Sequence, residues 1–248
     1  MINVTIYNEY IHEREDESIR AVYPEGIHMC IKRFLEQEDV RVNTIALEDV
    51  AGGLTDELKR LIDGTDVMLW WGHVRHGDVP DEVAMYVQAA VLKGMGMIFL
   101  HSGHHSKPFR LLMGTPCNLT WREDGDYERV WVVNPAHPIA QGLGRFIYLE
   151  HEETYGEPFD VPEPDETVFI GSYEGGEVFR SGICYRRGRG KIFYFQPGHE
   201  SNPTYQNKDV QTVIKNAVRW ALPVNRACEL NCPHVAKPGT NGRQDASK

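Results

Sequence analysis

Residues 67–106 read VMLWWGHVRHGDVPDEVAMYVQAAVLKGMGMIFLHSGHHS, and this stretch decides the fold class. It opens on Val67 to Trp71, a continuous apolar run of the kind expected for a strand buried on both faces. Pro80 then starts a helix, where its missing N–H is an orphan in any case. Val83, Val87, Ala90 and Val91 form one apolar stripe, and Gly94 ends the helix. Met97 to Leu100 is a second apolar strand. Strand, helix and strand with both strands apolar throughout point to a parallel sheet covered by helices.

The same alternation continues outward. Asn3 to Tyr7 and Val40 to Leu47 read as strands, with a helix between them carrying Ile27, Ile31, Phe34 and Leu35 at helical spacing. His12 to Glu17 reads as a polar loop, and Thr55 opens a short helix with Leu58, Leu61 and Ile62 inward. Residues 117–134 (CNLTWREDGDYERVWVVN) read as a hairpin turning at Asp124-Gly125. Phe146 to Leu149, Thr167 to Tyr173, Val178 to Tyr185 and Lys191 to Gln196 read as further strands, the last two joined by a solvated turn at Arg186 to Gly190. A closing helix runs from Lys208 to Leu222 with Val210, Val213, Ile214, Ala217 and Val218 inward. The expected architecture is one α/β domain over residues 1–223. It is a doubly wound, mostly parallel, flavodoxin-like sheet with helices on both faces and β-hairpin additions in the second half. Residues 224–248, rich in Asn, Pro, Gly and Lys, are expected to form a loose tail.

Composition narrows the partners. The formal charge of −10, from 36 acidic and 26 basic residues, repels phosphate backbones and anionic lipid, so nucleic acid and membrane surfaces are not expected partners. No apolar run approaches the roughly 20 residues of a membrane helix. Met1 to Tyr7 reads directly as a strand start, without the features of a signal peptide. Cys30, Cys117, Cys184, Cys228 and Cys232 are odd in number and mostly far apart, which fits reduced thiols and a cytoplasmic protein. Gly94-Met95-Gly96 precedes a strand instead of following one, and no phosphate loop is present, so no nucleotide cofactor is expected.

Ligands of open parallel sheets bind beyond the carboxyl ends of the strands. His73 and His76 follow Val67–Trp71, His101, His104 and His105 follow Met97–Leu100, Glu152 and Glu153 follow Phe146–Leu149, and His199-Glu200 follows Lys191–Gln196. Five of the eleven histidines lie between residues 73 and 105. Imidazoles and carboxylates converging in a cleft suit a zinc-like divalent ion, and equally suit acid/base work near neutral pH. A single histidine at a strand end more often caps a loop, and no HExxH spacing is present, so the metal reading rests on the convergence of His73, His101, His104, His199 and Glu153. His76 and His105 read as supporting or surface residues. Ser102 lacks the GxSxG elbow and reads as a hydrogen-bonding serine. Cys228, Cys232 and His234 have ligand chemistry but sit in the tail, whereas Cys117 and Cys184 read as structural. Trp70 and Trp71 face opposite ways, one expected in the core and the other near the pocket mouth.

Several runs, in order, resemble the ThuA-like (trehalose-utilisation) family within the class I glutamine amidotransferase-like fold. They are Trp70-Trp71-Gly72-His73, Met97 to Ser102 (MIFLHS), Glu152-Glu153-Thr154-Tyr155-Gly156, and Gly188 to Tyr194 (GRGKIFY) leading to Gly198-His199. The resemblance spans residues 3–222, with Glu152 in place of the family's Asp in Asp-Glu-x-Tyr. Amidotransferases of this fold carry a nucleophilic thiol in Cys-x-Gly-His after the corresponding strand. Here the run is His101-Ser102-Gly103-His104, and His199-Glu200 lacks the His-x-Glu spacing, so glutaminase chemistry is not expected. The resemblance implies carbohydrate metabolism, with trehalose, related disaccharides or their oxidised forms as the substrate class.

The leading expectation is an enzyme holding a divalent metal through His73, His101, His199 and Glu153. Glu152 or His104 would be the general base, with Glu153 also a candidate, on a sugar-derived substrate; isomerisation, elimination and hydrolysis all fit. A second reading is a catalytically silent sugar-binding or partner protein on this scaffold, and a third is metal-free catalysis by a Glu–His pair. The dominance of titratable groups favours an enzyme. A homo-oligomer is the default assembly.

Overall fold

The computed structural model describes residues 1–235. β1 (Ile2–Asn8) leads through α1 (His12–Glu15), α2 (Glu17–Val22) and α3 (Ile27–Leu35) to β2 (Val40–Ala46). Then come α4 (Leu47–Ala51), α5 (Asp56–Asp63), β3 (Val67–Trp71), α6 (Asp81–Lys93), β4 (Gly96–Leu100) and α7 (Lys107–Met113). The second half is β-rich: β5 (Thr120–Arg122), β6 (Glu128–Val132), β7 (Phe146–Leu149), β8 (Thr154–Gly156), β9 (Glu166–Tyr173), β10 (Val178–Arg187) and β11 (Gly190–Phe195), closed by α8 (Lys208–Ala221). Local chemistry sets the boundaries. Thr55 caps α5 by accepting from Leu58 N–H, Asn207 caps α8 by accepting from Asp209 and Val210 N–H, and Gly94 ends α6 at φ 129°.

Nine strands form one sheet in the order β2-β1-β3-β4-β11-β10-β9-β6-β7. β2, β1, β3, β4 and β11 are mutually parallel, and β10, β9, β6 and β7 follow by antiparallel steps. Two antiparallel steps restore direction, so β9 and β7 run with the parallel block, and only β10 and β6 oppose it. The carboxyl ends of β1, β3, β4, β11 and β7 therefore share one edge, where the candidate site lies.

Both faces are covered, as the doubly wound pattern requires. On one face α3 and α8 pack Ile27, Ile31, Val210, Val213, Ile214, Ala217 and Val218 against Leu69, Trp71, Ile98 and Leu100. On the other, α4 to α7 pack Val50, Leu58, Ile62, Val83, Val87 and Phe109 against Met68, Trp70, Met97 and Phe99. Alternate residues of β3 and β4 serve opposite cores, which explains why both strands are apolar throughout.

Three expectations change. Residues 117–134 do not form a hairpin, because β5 pairs with β8, and β6 pairs with β7 and β9. The Asp124-Gly125 turn has a different task. Arg122, the last residue of β5, ion-pairs with Asp124, Asp126 and Glu177. His12 to Glu17 is helical instead of a loop, with Asp16 breaking it and capping α2. Both Trp70 and Trp71 are buried, Trp70 stacked on Tyr7 and Trp71 donating from Nε1 to Gly198 O, so neither stands at the pocket mouth. Of the expected tail, residues 224–235 hold no helix or strand, yet the chain is pinned where Ala227 N–H donates to Lys93 O. Residues 236–248 lie outside the described residues. No helix among the described residues is long and apolar enough to cross a membrane.

Candidate functional site

The chain turns sharply at the end of β4. His101 takes φ 50°, a left-handed conformation that a non-glycine residue adopts only when its surroundings hold it there. Gly103 permits the turn, since a Cβ there would lie 2.9 Å from the carbonyl oxygen of Trp70 on β3. The turn aims the fully buried His101 ring at the sheet edge. Its Nδ1 donates to Gln196 O at 3.0 Å. A carbonyl only accepts, so Nδ1 carries the proton, and Nε2 faces Glu153 Oε2 at 3.0 Å.

Buried carboxylates fix the other loops. Glu9, at the end of β1, accepts from the backbone N–H groups of His73, Val74 and Arg75 at 2.9, 2.9 and 2.8 Å. Glu152 accepts from Gly198 N–H and Thr204 Oγ1 on one oxygen (3.1 and 2.7 Å), and from His199 N–H and Glu153 N–H on the other (3.0 and 3.1 Å). Gln196 Nε2 donates to Glu153 O at 3.1 Å, so one residue steadies both His101 and Glu153.

These loops bring His73, His101, Glu153 and His199 together, with one ligand atom from each inside a common 4.8 Å. The rings of His73, His101 and His199 have centroids 5.1–5.9 Å apart. His101 Nε2 and Glu153 Oε2 are both buried and, among the described residues, have only each other within reach. Three imidazoles and a carboxylate make a donor set suited to zinc-like ions.

A second group adjoins the first. His12 Nδ1 contacts Glu200 Oε1 at 2.5 Å, and His73 Nδ1 lies 2.7 Å from the same oxygen. Burial works to raise the Glu200 pKa, but the contacts from His12 and His73 overcome it and hold the carboxyl well below its usual range. The His12 pKa rises in response, chiefly through its hydrogen bond to Glu200. Burial disfavours charge on His101, yet Glu153 and neighbouring carboxylates outweigh it and hold the His101 pKa above its ordinary value. Glu153 is similarly opposed by burial and held low by His101. The His199 pKa is lowered by burial and by His101.

Beyond this group opens a cavity of about 450 Å³, walled by His73, His76, Ser102, His104, Glu153, Tyr155 and His199. His104 Nδ1 donates to Cys117 O at 2.8 Å, which leaves the Nε2 lone pair free. Burial pushes the His104 and His76 pKa values down to about 3, so both are neutral bases at pH 7. Ser102 Oγ shares a 2.9 Å hydrogen bond with Tyr155 OH, and the Tyr155 ring stacks on His101.

The structure thus brings together His73, His101, Glu153 and His199, with His104 on the same cavity. Glu152 lies behind the wall, both oxygens occupied by donors. His76 and His105 line the cavity as well, their rings 5.8 Å apart. Cys228 and Cys232 are exposed, and they and His234 join neither ligand group among the described residues. The sequence reading misses His12, Glu9 and Gln196, and gives Glu200 no role. Glu200 is the one with a local signal, standing beside His199 at a strand end.

A doubly wound sheet with a sharp turn after β4 that presents His101 defines an α/β protein of amidotransferase-like fold with a histidine–carboxylate site. The family model described as ThuA, trehalose utilisation, matches residues 3–221, and the chain belongs to that family. A solved protein described as ThuA-like from Parabacteroides merdae is 15% identical, with a TM-score of 0.66 and 92% of each chain covered. A cytoplasmic protein from Salmonella typhimurium LT2 is 10% identical at a TM-score of 0.61, covering 89% of this chain and 100% of that one. A glutamine amidotransferase from Thermotoga maritima is 11% identical at a TM-score of 0.52, covering 88% and 97%. At these identities the likeness is one of fold. No curated protein matches the sequence.

Proposed function

We propose that the chain is an enzyme of carbohydrate metabolism that acts on a sugar-derived substrate and holds a divalent, zinc-like ion through His73, His101, Glu153 and His199. The observation that supports this best is the convergence of four buried or half-buried donors, one ligand atom from each inside 4.8 Å, with His101 Nε2 and Glu153 Oε2 facing each other at 3.0 Å. Membership of the trehalose-utilisation family supports the substrate class. The ion would supply Lewis acidity, polarising a carbonyl or acidifying a bound oxygen.

The remaining work falls to the chain. His104 Nε2 faces the cavity as a neutral acceptor and takes the substrate proton, its Nδ1–H anchored on Cys117 O. Its low pKa of about 3 makes it a weak base, so the proton it takes must come from an already acidified group. The Ser102–Tyr155 pair offers a hydrogen bond to a substrate oxygen. Glu152 positions the His199 loop and does not meet the substrate.

Elemental analysis of chelator-free protein tests the reading, beside His101→Ala and His199→Ala. About one ion per chain, lost in either variant, is expected, with turnover of disaccharides or their oxidised forms lost on chelation. No metal in any preparation overturns the ion. Full turnover after chelation selects acid/base catalysis by a Glu–His pair instead.

A further inference from the structure

Of the five tryptophans, four are accounted for by packing. Trp70 and Trp71 are buried, Trp131 packs on Phe146 and donates to Ser172, and Trp220 lies against His137 and Lys191. Trp121 is different: it is 66% exposed and lines the same cavity as His73, Glu153 and His199. A buried tryptophan hides some 150–250 Å² of surface, and a ligand seated on this ring would cover part of that area.

The ring is exposed but its backbone is fixed. Trp121 pairs directly with Tyr155 across the β5–β8 ribbon. Thr120 Oγ1 donates to Gly156 O on one side, and Arg122 is held by three carboxylates on the other. Residues directly opposite in an antiparallel pair project to the same side. Tyr155 projects into the cavity and stacks on His101, so Trp121 extends that wall outward. Asn118 and Glu123 flank it on the rim, and Glu123 Oε1 lies 3.8 Å from His199 Nδ1.

A flat aromatic face with an amide and a carboxylate beside it matches the chemistry of a sugar ring. The C–H groups on one face of the ring carry slight positive charge and sit on the negative π-face, while its hydroxyls donate to carboxylate and amide oxygens. Glu123 repels phosphate and carboxylate ligands. At about 450 Å³ the cavity is of the size that takes small molecules, roughly 300–1,000 Å³, and it reaches from His73, Glu153 and His199 to the platform. We infer that Trp121, with Asn118 and Glu123, forms a second saccharide subsite. It takes one ring of an uncharged two-ring sugar while the other ring lies at the His73–His101–Glu153–His199 end. The placement of that other ring rests on the proposed function; the platform does not.

Isothermal titration of trehalose and of glucose into wild type, Trp121→Ala and Trp121→Phe tests this, with metal content and thermal unfolding measured on the same samples. Trehalose binding is expected to weaken at least tenfold in Trp121→Ala and to recover largely in Trp121→Phe, while glucose binding changes less than twofold. Trehalose should also shield the wild-type fluorescence from acrylamide. A Trp121→Ala protein that binds trehalose like wild type, or loses trehalose and glucose equally, overturns the inference, as does wild type that binds neither. Trp121-dependent trehalose binding in protein without metal sustains the platform and sinks the metal reading. Bound metal with a silent Trp121→Ala does the reverse.

Discussion

Glu152→Gln separates a positioning role from a catalytic one. The wild-type carboxylate accepts four hydrogen bonds, two on each oxygen, from Gly198, His199 and Glu153 N–H and from Thr204 Oγ1. Glutamine keeps one accepting oxygen and turns an NH₂ on the other pair. With that NH₂ toward Thr204, whose hydroxyl can rotate to accept, only Gly198 N–H is stranded. One stranded buried donor costs about 1–3 kcal/mol, partly offset because burial pushes the Glu152 pKa up and makes its charge unfavourable. In a chain of this length each kcal/mol shifts Tm by roughly 2–4 °C. The expected result is therefore a fall of several degrees, with weaker metal binding because the His199 loop loses its anchor. Thermal unfolding and titration against a competing chelator measure both. If Glu152→Gln keeps wild-type Tm and metal affinity but loses turnover, the clamp argument fails and Glu152 returns as the general base.

Glu200→Gln removes the charge shared by His12 and His73, and metal affinity should fall about 10- to 100-fold, as for other carboxylate–histidine partners of metal sites; unchanged affinity in a chelator competition would refute this role. Burial depresses the pKa of His28 to about 4, and of His76 and His104 to about 3, from 6.5. The unfolded chain then binds more protons below pH 6.5, so stability falls as pH drops from 6.5 toward those folded values, by as much as about 4 kcal/mol per pH unit for three groups. Denaturant titrations between pH 7 and 4.5 should show this, with a shallower slope in His104→Asn; a flat profile contradicts it. Gly103→Ala places a Cβ 2.9 Å from a backbone oxygen of a buried strand, and should cost about 1–3 kcal/mol. Wild-type thermal stability in that variant would show that the turn can relax.

Much of this was legible because the parallel sheet turns sequence order into geometry. An apolar run such as Met97–Leu100 fixes a strand, the strand fixes an edge, and His101 after it must lie at that edge. His73, His199 and Glu153 follow by the same logic, although the sequence never brings them near one another. The His12–Glu200 contact spans 188 residues and leaves no local trace. His12 sits in a polar stretch without periodicity, and its short helix is held by Asp16 capping its successor, not by an apolar face. The hairpin misreading has a similar cause. Asp124-Gly125 is a valid turn signal, but the partner of β5 comes from Thr154–Gly156, whose pairing no short-range pattern announces.

The buried carboxylates also say which charge the site is made for. Glu9, Glu152, Glu153 and Glu200 are all buried around His73, His101 and His199. Glu9 and Glu152 are compensated by backbone N–H groups, and Glu200 by His12 and His73. Glu153 has His101 as its nearest cation, 3.0 Å away. A buried carboxylate needs such compensation, and Glu153 with its neighbouring carboxylates holds the His101 pKa above its ordinary value against the effect of burial. A divalent cation would supply that compensation instead, and the imidazole must then surrender any added proton to bind. Proton release on zinc binding to chelated protein, measured by titration calorimetry in buffers of different ionisation enthalpy, should therefore be larger at pH 6 than at pH 8. Zinc binding with no proton released between pH 6 and 7 would mean that His101 is already neutral, and that Glu153 is compensated in some other way.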